Sequence, residues 1–201
     1  MNAPRAITLS AVVLSCAVVL RADEPLTKAD AQRFQAKLVQ IEKNSATPVK
    51  RGAPARITPL SDAEVNSYLK FLAGSQVPVG IADPTLHAAG DGRVTGQAVV
   101  DLDVVRTEKK RSWSDPLAYL TGRLPVAAQG TLTTANGVGR FVLDSAEISG
   151  VTVPKSLIQE LLSYYSKSPE RPNGINMDDP FQLPSAIKDI KVGTGSTTVV
   201  Q

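Results

Sequence analysis

Two turn signals, Gly90-Asp91-Gly92 and Asn136-Gly137, constrain this chain more than any other feature, because each sits between stretches that read as strands. A two-residue type I′ turn needs positive φ at both central positions, which Asn-Gly supplies at little steric cost, and it sends the chain back antiparallel to itself. The first turn joins a short strand, Thr85 to Ala88, to a stretch in which Val94, Gly96, Ala98, Val100, Leu102 and Val104 alternate with Thr95, Gln97, Asp101 and Asp103. That period of two predicts a strand with one apolar and one wet face. The second turn joins a strand running from Gly122 through Leu132 to a returning strand, Gly139 to Ser149. Two hairpins in succession make an antiparallel meander, and glycines at 96, 130, 139 and 150 allow it to curve.

Helical signals flank the hairpins. Thr27 and Asp30 open a stretch in which Ala31, Phe34, Leu38 and Ile41 recur at helical spacing, ending near Asn44. Residues 45–59 carry three prolines without a period and read as a linker, with a short strand at Arg56 to Thr58. Ser61-Asp62-Ala63-Glu64 is a capping box, and Val65, Tyr68, Leu69 and Leu72 give the helix after it a buried face. Pro154 introduces a third helix with Leu157, Ile158, Leu161, Leu162 and Tyr165 on one face. A proline-rich loop over 169–184, pinned by Phe181 and Leu183, leads to a last hairpin whose final strand is Thr197 to Val200. The order predicts an α+β fold: a curved antiparallel β-meander wrapped around a long α-helix, with additional N-terminal helices.

Ala6 to Leu20 is an apolar run preceded by Arg5, of the length of a secretory signal and too short for a membrane span of roughly 20 residues. The expected organisation is a signal peptide over 1–22, an N-terminal helix and linker over 23–56, and an α+β domain over 57–201. A periplasmic or secreted location follows, and Cys16 offers the alternative of a lipoprotein anchor. Cleavage after Ala22 removes Arg5, Arg21 and the one cysteine, leaving 20 basic against 19 acidic residues and no disulfide.

One His and one Cys in 201 residues argue against zinc sites, thiol catalysis and histidine-based acid–base machinery, which need several such groups in concert. His87 lacks a second imidazole, and no G-x-S-x-G elbow or Walker lysine is present. Asp101 with Asp103 on one strand face, and Asp178-Asp179 before Pro180, read more simply as solvent-facing and turn carboxylates than as a hydrolytic or calcium pair. Lys109-Lys110-Arg111 beside Trp113 reads as a solvated loop with the makings of a peripheral membrane contact, whereas a near-neutral exported chain argues against nucleic acid. No enzyme, metal or cofactor is expected.

What remains is aliphatic surface. Val100, Leu102, Val104, Leu132, Phe141 and Leu143 on strands, with Leu157, Leu161 and Tyr165 on the helix, either close a packed core or line a cavity. The helix Ser61-Asp62-Ala63-Glu64-Val65-Asn66-Ser67-Tyr68-Leu69, the strand with Val100-Asp101-Leu102-Asp103, and Gly150-Val151-Thr152-Val153-Pro154 leading into Leu157 to Tyr165 resemble exported bacterial lipid-binding proteins of TULIP-like fold, in particular the LmeA-type phospholipid-binding family. The resemblance spans roughly residues 57–200 and does not include the helix at Thr27 to Asn44. It implies a lipid or other apolar ligand, bound between sheet and helix without covalent chemistry, with those nine residues as its lining. The alternative is a structural or assembly protein of the envelope with a solid core and a protein partner.

Overall fold

A computed structural model describes residues 25–47, 52–104, 121–169 and 171–201. The expected signal peptide, Cys16 and the Lys109–Trp113 stretch lie outside them. In chain order the elements are α1 (Lys28–Ser45), β1 (Ile57–Ser61), α2 (Asp62–Phe71), a 3₁₀ turn (Gly74–Gln76), β2 (Ile81–Gly90), β3 (Arg93–Asp101), β4 (Arg123–Ala135), β5 (Val138–Ile148), β6 (Val151–Thr152), α3 (Lys155–Tyr165), β7 (Phe181–Gln182), β8 (Asp189–Val192) and β9 (Ser196–Val200). The architecture is α+β with two antiparallel sheets, one ordered β1-β9-β8 and the other β2-β3-β4-β5-β6, with β7 added beside β5.

The solid core belongs to the smaller sheet. Thr27 caps α1, its Oγ1 accepting the Asp30 N–H at 3.0 Å, and the expected stripe buries Ala31 and Ile41. Ile41, Leu60, Leu183, Ile187 and Val199 pack together, with Phe34, Val65 and Ile190 against them. The capping box of α2 forms as expected: Ser61 Oγ accepts the Glu64 N–H at 3.2 Å and Glu64 Oε2 accepts the Ser61 N–H at 3.0 Å. Close approach of α1 and α2 rests on small residues, since Ala31 and Ser67 are fully buried and Ser67 Oγ accepts the Thr27 N–H. Of the face expected for α2, Val65 and Tyr68 do pack inward. Glu64, Ser67 and Tyr68 face inward, and Leu72 is left 38% exposed beyond the helix end.

The meander is β2 to β6, and both predicted turns hold. Asp91 and Gly92 take φ of 54° and 80°, and Asn136 and Gly137 take 51° and 83°. Both hairpin tips dock on the smaller sheet, where Gly92 N–H donates to Val192 O at 3.3 Å and Gly137 N–H to Lys188 O at 2.9 Å. The last hairpin does not continue the meander. Its β9 pairs instead with β1, Ile57 opposite Val200, a contact across 143 residues that no local signal announces.

The strand expected to run through Val104 ends at Asp101. Leu102 to Val104 turn into helical conformation because Asp101 Oδ1 accepts the Val104 N–H at 3.2 Å, the geometry of an N-cap. Asp101 and Asp103 therefore do not share a strand face; Asp103 Oδ2 accepts the Gly122 N–H across the neck of the 105–120 connection.

Candidate functional site

Antiparallel register places paired residues on the same side of a sheet, so its rows can be read directly. One face of the meander carries Ile81–Val100–Leu124, then Ala98–Val126–Ile148–Val151, then Leu86–Gly96–Ala128–Ala146, then Ala88–Val94–Gly130–Leu143, and last Leu132–Phe141 near the tip. Every side chain in those rows is apolar or absent. The opposite face carries Thr85–Gln97–Ala127–Glu147 and His87–Thr95–Gln129–Ser145, and is mostly polar.

Burial divides the apolar face. Ala88, Leu143 and Ala146 are buried, whereas Ala98, Val126 and Ile148, and beyond them Ile81, Val100 and Leu124, are half-buried, and Val151 at the margin is 65% exposed. The rows farthest from the smaller sheet are thus apolar without being sealed. Near the tip Gly130 lets the ring of Phe141 lie on the backbone: an added Cβ would stand 2.6 Å from Phe141 Cε2 and 2.5 Å from Val142 O.

Of the nine expected lining residues, Val100, Leu132, Phe141 and Leu143 do lie on this face. Leu102 and Val104 lie past the strand end, Leu102 buried and Val104 37% exposed. Leu157 and Leu161 are half-buried on α3, and Tyr165 closes that helix, its backbone alone being described. α3 sits beside β5 and is tied to the loop after it: Gln159 Oε1 accepts the Met177 N–H at 2.8 Å, Gln159 Nε2 donates to Ile175 O at 3.0 Å, and Lys155 Nζ pairs with Asp178 at 2.5 Å. The face also includes Leu124, Val126, Ala128 and Ile148, which the sequence reading passed over. Their alternation along β4 was legible, but Pro125 and Ala127 blur the contrast between the faces.

The polar candidates have structural duties. His87 Nδ1 lies 2.6 Å from Asp62 Oδ2, and the same carboxylate accepts the Ala88 N–H at 3.1 Å. Asp179 Oδ1 accepts from Asn176 Nδ2 at 3.0 Å within its own turn. Among the described residues no three His, Cys, Asp or Glu side chains gather as a metal set, and no helix is long and apolar enough to cross a membrane. Glu64 is a carboxylate drawn between the two N-terminal helices, accepting from Lys37 and from the Ser61 N–H. Burial pushes it up, but the Lys37 ammonium at 2.7 Å, the Ser61 N–H and the Arg33 charge outweigh that and hold it below the usual carboxylate value.

No protein-family model and no curated protein sequence matches the chain. A crystal structure of lipopolysaccharide binding protein is similar at a TM-score of 0.22 and 16% identity, over 72% of this chain. The chain spans 40% of that protein's length.

Proposed function

We propose that the chain is an exported cell-envelope protein that binds a lipid or other apolar ligand non-covalently, with the apolar face of β2–β5 as one wall of the site and α3 as the other. Half-burial of Ala98, Val126, Ile148, Ile81, Val100 and Leu124 is the observation that carries this reading. These side chains form contiguous rows on one face, yet the sealed core lies elsewhere, around Ile41 and Leu60. Sheet faces of this size are ordinarily closed by a packed layer, and a contiguous unsealed one marks a binding surface. α3 supports the arrangement, since it stands beside β5 and presents half-buried Leu157, Ile158, Leu161 and Leu162.

Each methylene moved from water onto such a surface stabilises the complex by about 0.8 kcal/mol, so an acyl chain needs no specific polar contact to bind. Purification from the native host, followed by native mass spectrometry and organic extraction, should yield a stoichiometric apolar ligand. Protein that emerges ligand-free and takes up no acyl chain, while a fixed protein partner is captured by crosslinking in the envelope, would establish the assembly reading instead.

A further inference from the structure

The polar face of the meander holds a recess, opposite the apolar rows. It is a groove of about 290 Å³ lined by Asp83, Thr85, Gln97, Val99, Pro125, Ala127, Glu147 and Gly150, with the backbone of Ala98 and Val126 beneath. Register explains its shape. Thr85, Gln97, Ala127 and Glu147 form one row straight across β2, β3, β4 and β5, and Val99 and Pro125 form the middle of the next. Small or apolar side chains at Val99, Pro125 and Ala127 leave the centre low. The ends are raised by two departures from regular strand. On β2 the register slips between Ala82 and Thr85, where Asp83 has a φ of 48°, and at the β5–β6 turn Ser149 and Gly150 take φ of 52° and 77°.

The two carboxylates of the groove lie at its opposite ends. Asp83 is on β2, at its register slip, and Glu147 is on β5, so about three inter-strand steps of about 4.8 Å, or about 14 Å, separate their backbones. Among the described residues neither carboxylate takes a hydrogen bond or ion pair, and no Lys or Arg lines the recess. Arg123 is the cation nearest in register, one row beyond Pro125 and opposite Asp101.

We propose that this groove binds a linear polyamine, a chain of methylenes with an ammonium group near each end. The terminal ammonium groups pair with Asp83 and Glu147, the methylenes lie on Val99, Pro125 and Ala127, and the Gln97 carbonyl and Thr85 hydroxyl accept from an internal amine. Two separated carboxylates set the length of the ligand, because a short diamine cannot reach both. The carboxylates are exposed, so the interaction is weak and salt-sensitive.

Titrating the full chain with spermidine at low ionic strength, followed by amide chemical shifts, tests this. Saturable shifts confined to the groove are expected, with affinity falling about 3-fold or more in Glu147→Gln and in Asp83→Asn, an exchange that keeps a side chain tolerant of positive φ. Putrescine and hexylamine should bind several-fold more weakly than spermidine. Shifts spread over carboxylates far from the groove, equal affinity for magnesium ion, or undiminished binding in both variants would overturn the assignment.

Discussion

The side-chain amide of Asn66 in α2 pairs with the backbone of Leu86 as a strand would, Nδ2 donating to Leu86 O and Oδ1 accepting the Leu86 N–H, both at 2.8 Å. β2 is the edge of its sheet, and an edge presents free amides and carbonyls that invite another chain. Four residues earlier on the same helix Asp62 takes the Ala88 N–H, the Ala88 carbonyl accepts from Gly195 N–H at 2.7 Å, and Pro84 has no N–H to offer. The open side of β2 is thereby occupied from α2 and from the β8–β9 turn.

Replacing Asn66 with Ala removes both bonds and uncovers that edge. A loss of about 1–3 kcal/mol is expected in urea unfolding. It should come with concentration-dependent association on size exclusion, and a monomeric variant of unchanged stability would show that the edge needs no cover.

Gly130→Ala places a methyl group against Phe141 and the Val142 carbonyl. Overpacking of this kind costs about 1–3 kcal/mol. Adding Phe141→Leu should recover part of the loss, because the ring can give way and the carbonyl cannot; full recovery would mean that the backbone contact is unimportant.

Acid should loosen the α1–α2 contact through Glu64. Its folded-state value lies below the unfolded one near 4.5, so its stabilising contribution is complete above that pH and is lost as pH falls through the folded value. Glu64→Gln should be less stable at neutral pH and show a shallower decline below pH 4.5, measured as unfolding midpoints across a pH series. An identical slope in both proteins would assign the acid sensitivity to other carboxylates.

Gln201 is 3% exposed, and its Nε2 donates to Ile41 O at 2.9 Å and to Ser185 O at 2.7 Å while Oε1 accepts from Asn44 Nδ2 at 2.9 Å. Gln201→Ala takes a donor from the Ile41 carbonyl in the last turns of α1 and from the half-buried Ser185 carbonyl in the 183–187 loop, and leaves Asn44 Nδ2 without this acceptor. Destabilisation of about 2–3 kcal/mol is expected by thermal or urea unfolding. Gln201→Glu, which keeps the shape but loses the donors, should not rescue it.

Val126→Glu sets a charge on the half-buried apolar rows while leaving the Ile41–Leu60 core untouched. Ligand recovered by extraction should drop at least several-fold with the fold retained by circular dichroism. Unchanged recovery would remove this face from the site.

Local physics made a good part of the fold legible. The Asp91-Gly92 and Asn136-Gly137 turns need left-handed backbone, the Thr27 cap and the Ser61–Glu64 box satisfy first-turn amides, and period-two patterning marks the apolar face through Val94, Ala98 and Val100. All of these depend on neighbours a few residues apart. The strand end at Asp101 was legible too, as an N-cap followed by Leu102, but alternation through Val104 concealed it. Only the tertiary structure decided what depends on distant partners. Pairing of Ile57 with Val200 separates the last hairpin from the meander, Asn66 finds Leu86 rather than solvent, and Gln201 reaches Ile41. The rows across β2 to β5 belong to this second class, since a one-residue slip of any strand would carry its side chains to the other face. Sequence determined which residues alternate; register determined that Val126 lies beside Ile148 on the apolar side, and Ala127 beside Glu147 on the other.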